Sequence, residues 1–222
     1  MTPTQPEHDL QANAIWNALA QNPAVGFSVV DVNGVVKFAN QKSAEMFLGD
    51  SPESVVGKSL YDLFPKAWAD ERMAILAQIA RTGRPVIIRH IRRGVQIQSN
   101  ISLMECPEGN QPFYLIFTHE GEHDPHDQEH QVIESKLADL GPLDVLTRRE
   151  LEVLALIKHG MTLDEIAKLL HRSRKTIDNH RTSIAKKLGE SSRVRLAQLA
   201  EQAGLELKDA DLRRIPTRRE DE

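Results

Sequence analysis

Nine basic side chains crowd into residues 165–195: Lys168, Arg172, Arg174, Lys175, Arg181, Lys186, Lys187, Arg193 and Arg195. Only Glu165, Asp178 and Glu190 oppose them, a local charge of +6 (nine minus three) in a chain of net charge −4. Such a cluster is the electrostatic footprint of a phosphate-binding surface, although a solvated helix face would look the same on charge alone. The imbalance extends along the chain. Residues 1–142 carry 11 basic and 18 acidic side chains, net −7; residues 143–222 carry 17 and 14, net +3.

A second group is His119, His123, His126 and His130, separated by acidic residues. On a helix, 119/123 and 126/130 would have ligand-like i,i+4 spacing. Gly121 and Pro125 oppose a continuous helix, so a solvated linker is expected and no metal. Cys106 is the single cysteine, which excludes an internal disulfide and an all-cysteine metal site; a reducing cytoplasm is the expected compartment. There is no phosphate-cradling glycine loop, no Ser/His/Asp or Cys/His arrangement in a suitable context, and no paired-carboxylate motif. An enzyme is not expected.

The elements that must position the basic cluster carry clear start and stop chemistry. Thr147-Arg148-Arg149-Glu150 and Thr162-Leu163-Asp164-Glu165 each read as a capping box. They open helices through LEVLALIKH, ending at Gly160, and through EIAKLL. Ser173 caps a longer helix, RKTIDNHRTSIAKKL, ending at Gly189. Ser191 or Ser192 caps RVRLAQLAEQA, ending at Gly204. A short helix, the tight turn His171-Arg172-Ser173 and a basic helix form a helix-turn-helix. The basic helix carries an apolar stripe at Ile177, Ile184 and Leu188 and a polar face of Lys175, Thr176, Asp178, Asn179, Arg181, Thr182 and Lys186. That face can meet phosphates and base edges in the major groove.

Leu146-Thr147-Arg148-Arg149-Glu150-Leu151-Glu152-Val153-Leu154 resembles the opening of LuxR-type (GerE-type) DNA-binding domains. Gly160, Glu165-Ile166-Ala167, Ser173, the run Thr176–Arg181, Ile184, Lys187-Leu188-Gly189 and the helix from Arg193 extend the match over about 60 residues. The resemblance implies an all-α four-helix domain whose third helix enters the major groove and whose fourth often pairs two subunits. The implied DNA-binding set is Arg174, Lys175, Thr176, Asp178, Asn179, His180, Arg181, Thr182 and Lys186. Asp178, Asn179 and Thr182 fall where family members face base edges; Lys175, Arg181 and Lys186 are the expected phosphate contacts. His180 matches a common family residue, with a packing role as its alternative. Glu150 is assigned mainly to capping. The implied pairing residues are Val194, Leu196, Ala197, Leu199 and Ala200, with further apolar stripes at 10–20 and 132–140.

Upstream the pattern is mixed. Val25–Val30 and Val35–Phe38 flank Asn33-Gly34, a hairpin signal. Helices are expected over 40–48 and 66–81, then strands Val86–Ile91, Val95–Met104 and Pro112–Thr118. A phosphoreceiver domain would need an acidic pair after the first strand, a central Asp and a distal Lys, which are not found. The pocket pattern of an acyl-homoserine-lactone domain is not found either. Phe27…Val30-Asp31…Gly34-Val35-Val36…Asn40…Ala44…Phe47, followed by Val56–Pro65, resembles a PAS domain over about 95 residues. The resemblance implies a five-stranded antiparallel sheet with helices over one face, in a domain that senses a small molecule, binds a cofactor or only dimerises. No cofactor is predicted. Haem is disfavoured because the long helix offers no His and His90 falls on a strand; flavin is disfavoured because Cys106 falls in a turn.

The expected fold is therefore α+β: an N-terminal helix (1–22), a PAS domain (23–118), a linker with a short amphipathic helix (119–142), a LuxR-type domain (143–205) and a charged, frayed tail (206–222). At 222 residues, two small domains suit the length. No run approaches the ~20 apolar residues of a membrane span, no secretory signal is evident, and no membrane partner is expected. The expected function is a transcription regulator binding double-stranded DNA as a homodimer. An interaction module docking RNA polymerase or another regulator is the alternative class.

Overall fold

The computed structural model describes residues 12–105, 111–121 and 131–218. α1 (Ala12–Ala20) leads into β1 (Gly26–Asp31) and β2 (Val36–Ala39). Asp31 builds the turn between the strands: its Oδ1 accepts from the N–H groups of Asn33 and Val35, each at 2.9 Å. Asn40 then acts as a buried hub. Its Oδ1 accepts from the N–H of Phe27 (2.9 Å) and of Ser43 (2.8 Å), and its Nδ2 donates to the carbonyls of Leu19, Asn22 and Val25. One side chain thus caps α2 (Gln41–Leu48) and ties the end of α1 to the first strand.

α3 (Leu60–Leu63) and α4 (Lys66–Thr82) follow. β3 (Val86–Arg92) and β4 (Val95–Met104) form a hairpin through Arg93-Gly94. Both turn residues have positive φ, as a two-residue hairpin of this type requires. β5 (Phe113–Glu120) completes an antiparallel order β2-β1-β5-β4-β3, with the helices packed on one face. This is the sheet that the PAS resemblance implies.

Alternation along β3 separates two cores. Val86 and Ile88 pack under the helices, with Trp68, Leu76 and Ile79. Ile91, on the opposite face, joins the core of the C-terminal domain. The sheet is therefore covered on both sides near β3, and six of the seven residues of that strand are buried.

Two expectations are corrected here. Residues 132–140 do not form an amphipathic helix: Gln131–Ala138 is a strand, β6, lying parallel to β3. Val132, Ile133, Leu137 and Leu140 suit a helical stripe, but Ile133, Ser135 and Leu137 also alternate inward while Glu134 and Lys136 stay exposed. The open edge of β3 supplies a row of hydrogen-bonding partners and decides between the two patterns. β3 lies along one side of β6, and β7 (Arg213–Arg214) pairs with its last two residues, Leu137 and Ala138, on the other.

The tail is not frayed over its described part. Leu207–Asp211 forms a 3-10 turn, β7 pairs parallel with β6, and the buried Ile215 donates its N–H to the Ala138 carbonyl at 3.0 Å. Arg214 donates to the carbonyls of Asp144 and Leu146, each at 2.6 Å. Arg218 reaches Asp50 and the Leu48 carbonyl. The chain leaves the C-terminal domain and returns to the N-terminal sheet.

The C-terminal domain has α5 (Arg148–Lys158), α6 (Leu163–Leu169), α7 (Arg174–Leu188) and α8 (Arg193–Gln202). Thr147 and Thr162 form complete capping boxes with Glu150 and Glu165; Ser173 and Ser192 cap α7 and α8. Its junction with the N-terminal domain is tight. A Cβ on Gly204 would fall 1.3 Å from Gln96 Oε1, and one on Gly141 would fall 2.5 Å from the Arg93 carbonyl carbon. Arg89, from the outer face of β3, forms a buried pair with Asp209 (2.9 Å) and donates to the Gly204 carbonyl (2.7 Å).

Candidate nucleic-acid interface and interior cavity

α6 and α7 pack together, and α7 leans on α5. Between them His171 adopts φ 52°, which reverses the chain in the tight turn. Ile177 and Ile184 are fully buried and Leu188 is half-buried, so the apolar stripe fixes which side of α7 faces inward.

Glu150 holds that orientation. Its Oε1 accepts from Ser183 Oγ (2.6 Å); its Oε2 accepts from Lys187 Nζ (2.7 Å) and from the Thr147 N–H (2.7 Å). Burial by itself would raise the carboxyl pKa. The Lys187 ammonium, the Ser183 hydroxyl and the Thr147 donors outweigh it and hold the group at about 2. Sequence reasoning assigned Glu150 to its cap; its grip on α7 joins residues 33 and 37 positions apart.

The candidate DNA-binding residues lie together on the outer side of α7. Arg174, Lys175, Asp178, Asn179, Thr182 and Lys186 are exposed, and Thr176, His180 and Arg181 are half-exposed. Two of the cations among them form ion pairs, and the Thr176 and Thr182 hydroxyls bond to Ser173 Oγ (2.8 Å) and to the Asp178 carbonyl (2.9 Å). Arg181 Nε pairs with Asp178 (3.2 Å), and Arg174 pairs with Asp164 (3.5 Å). The Asp178 carboxylate thus sits against a cation that moderates its repulsion of phosphate. Lys175 and Lys186 make no ion pair with any described residue. The helix N-terminus, with Ser173 accepting from the Thr176 N–H (3.1 Å), adds favourable potential for an anion.

The implied pairing set divides. Val194 is 66% exposed, and Ala197 and Leu199 are half-buried. Leu196 and Ala200, by contrast, are fully buried in the domain's own core. They are corrected to core residues: α8 turns its i, i+4 stripe onto α5, which removes them from any outer surface.

In the N-terminal domain, a cavity between sheet and helices encloses about 470 Å³ of empty space, its mouth included, with Val30, Ala44, Phe47, Leu60, Phe64 and Trp68 among its walls. A second space of about 350 Å³ adjoins it across Phe47, Leu60, Trp68 and Ile116, and also meets Arg72 and Ser99. The room open to water-sized groups within them is about 70 Å³ and about 40 Å³. His90 is buried; its Nε2 lies 3.2 Å from Ser99 Oγ and its ring 5.8 Å from that of Phe47. Burial, then the charges of Arg72, Arg92 and Arg89, push its pKa well below the ordinary histidine value, so the ring is neutral at physiological pH.

Cys106, His123, His126 and His130 lie outside the described residues; His119 is exposed. Among the described residues no group of three His, Cys, Asp or Glu could hold a metal ion, and no helix is long and apolar enough to cross a membrane.

A PAS-type sheet with an interior cavity, joined to a helix-turn-helix with an outward basic face, defines a class. Residues 144–200 match the family of bacterial regulatory proteins, luxR family, and residues 22–121 match the PAS fold. The chain joins a PAS domain to a LuxR-type helix-turn-helix domain.

Among its relatives is the uncharacterized response regulatory protein YgeK of Escherichia coli, 47% identical over 60 residues, covering 27% of this chain and 41% of that protein. The oxygen regulatory protein NreC of Staphylococcus aureus is 44% identical over 59 residues, covering 27% of each. The chain thus spans well under two thirds of these curated relatives. Among solved structures, the Vibrio cholerae VqmA–ligand–DNA complex is similar in fold over 95% of both chains, at 21% identity and a TM-score of 0.50.

Proposed function

We propose that this chain is a DNA-binding transcription regulator that reads double-stranded DNA with α7, acts as a homodimer and is controlled by its PAS domain. The observation that carries the reading is the solvent-facing array from Arg174 to Lys186, fixed to α5 through Glu150. Lys175 and Lys186 serve phosphates, and Asn179 and Thr182 reach base edges. Arg181 must exchange Asp178 for phosphate, so its contribution is the smaller.

One such domain covers little DNA, and two tethered copies gain effective concentration on a repeated site. The surfaces available for pairing are the outer side of α8 around Val194 and the exposed Ile15 and Trp16 of α1. The PAS cavity is the place for a small-molecule signal.

Fluorescence anisotropy on genomic fragments, repeated over a salt series, tests the reading. Lys175→Ala is expected to weaken binding to every sequence and to flatten the slope of log affinity against log salt by about one unit. Arg181→Ala should do the same to a smaller degree. Absence of binding by the parent protein to any fragment, or an unchanged slope in Lys175→Ala, would overturn it.

A further inference from the structure

Relative motion is the ordinary expectation for two small domains joined by a linker. Between β6 and α5 there is no slack for it. The Asp139 N–H donates to the Ile91 carbonyl (3.1 Å), and the Asp139 carbonyl accepts from the Gly94 N–H (3.0 Å). Gly141 opens a 3-10 turn that runs to Val145, and Thr147 already caps α5. The way out is as short. The 3-10 turn Leu207–Asp211 leads within two residues into β7, which pairs with the end of β6. The helical domain is thus entered and left at one place: Ala138 pairs with Ile91 of β3 on one side and with Arg214 on the other.

Two attachments side by side leave one freedom, rotation about the line through them. A third contact sits off that line. Arg89, two residues along β3 from Ile91, holds Asp209 with both ends of its guanidinium: Nη1 donates to Oδ1 at 3.2 Å and Nη2 to Oδ2 at 2.9 Å. Nη2 also donates to the Gly204 carbonyl at 2.7 Å. A bidentate pair fixes orientation as well as distance. The side chains are 12% and 2% exposed, so water has little access to compete for them. Asp209 Oδ2 accepts from the Glu206 N–H as well (2.8 Å), which anchors the carboxylate in the turn after α8. Beside the pair, Gly204 lies so close to Gln96 that no side chain would fit between them.

We propose that Arg89 and Asp209 lock the helical domain to the PAS sheet as one rigid body, and that this lock makes the protein select the spacing between two DNA half-sites. The inference rests on reading α7 as the DNA-binding helix of a homodimer and adds what fixes α7 in space. Neither residue lies on α7, so both act as positioning residues. Hinged domains could each swing to meet a half-site. Domains locked to their sheets present the two α7 helices at a single separation. Two inserted base pairs move one half-site by about 7 Å and turn it by about 70° around the duplex. A close-packed junction does not yield that far without breaking.

The test uses the full-length protein in two measurements. The first is NMR relaxation of backbone amides without DNA. The parent is expected to show one tumbling time for both domains. Arg89→Met combined with Asp209→Asn removes both charges, leaves no unpaired buried charge and keeps an acceptor for the Glu206 N–H. In this double variant the amides of α5–α8 should tumble faster than those of the sheet. Should it fail to fold, Arg89→Lys, which keeps the charge and loses the bidentate grip, should show a smaller change in the same direction. The second is fluorescence anisotropy on a fragment that the parent selects from a random-sequence pool, with and without two base pairs inserted between its half-sites. The parent should lose about tenfold or more in affinity on insertion, because both sites can no longer be engaged together, and the double variant about threefold or less. Both proteins should bind one isolated half-site equally. Separate tumbling of the domains in the parent, or tumbling unchanged in the variants, overturns the lock. Equal losses on insertion in parent and double variant overturn its role in spacing. Absence of DNA binding by the parent overturns the regulator reading and the spacing with it, while the relaxation data decide the lock by themselves.

Discussion

The two halves place their cations in opposite settings. On α7, Lys175 and Lys186 stand in water, where an unpaired ammonium costs little and remains free to meet a phosphate. In the PAS domain, Arg72 and Arg92 are buried with N–H groups left over. The first setting keeps charge available for a polyanion that arrives from outside; the second closes the cation off from any such partner. The contrast teaches that the same residue type offers a docking face when hydrated and a costly internal charge when buried with unmet donors. The supporting structure differs as well. The outer face depends on one buried carboxylate, Glu150, and the interior on one buried amide, Asn40.

Substitutions that strike the interior should cost stability, and substitutions on the outer face should cost binding. The largest effect is expected from Asn40→Ala, which removes a helix cap and leaves buried N–H and carbonyl groups of α1, β1 and α2 unpaired. Denaturant unfolding should show a loss on the order of 4 kcal/mol. A loss below about 1 kcal/mol would mean that water replaces the amide and that the hub is dispensable.

Leu196→Ala should cost roughly 3 kcal/mol or a little more, as a large-to-small change in a core. Val194→Asp, two residues away but exposed, should leave the melting temperature nearly unchanged and shift sedimentation toward the monomer. The reverse pattern would return Leu196 to the subunit interface and break the division drawn above.

Glu150 links stability to pH. Its folded-state pKa lies near 2, below the ordinary carboxyl value. The stabilisation is therefore fully present above about pH 4.5 and is lost as pH falls from there toward 2, a change on the order of 3 kcal/mol. Glu150→Gln should flatten this part of the stability profile and, by loosening Lys187 and Ser183, weaken DNA binding. An unchanged acid limb would show that Glu150 does not carry it.

The smallest effect is expected from deleting residues 213–222. The loss of β7, of Ile215 and of the Arg214 bonds should cost about 1–2 kcal/mol and speed amide exchange across 137–146. Unchanged exchange would mean that the tail does not brace the junction.

The degree to which each region can be read from sequence follows the same contrast. The capping boxes at Thr147 and Thr162, the cap at Ser173 and the stripe of Ile177 and Ile184 are interactions between near neighbours, so α5, α6 and α7 and the polar face of α7 follow from spacing. The hairpin at Asn33-Gly34 and the long α4 are legible for the same reason. The grip of Glu150 on Ser183 and Lys187 carries no local signal, and neither does the pairing of Arg89 with Asp209. The burial of Arg72 was not legible at all: it falls on a helix whose sequence alone suits an exposed arginine, and only the packing of β3 and α4 buries it.

What the amino-acid order determined by itself is therefore the set of helices, their ends and the sign of the charge they present, because a helix completes its hydrogen bonds within a few residues. The tertiary structure decided whether 131–138 would be helix or strand, where the tail would end and which face of α8 would be covered. A strand takes its partners from distant segments, and a side chain's burial is set by whatever packs over it. Those choices are made only when β3, α5 and the returning tail come together.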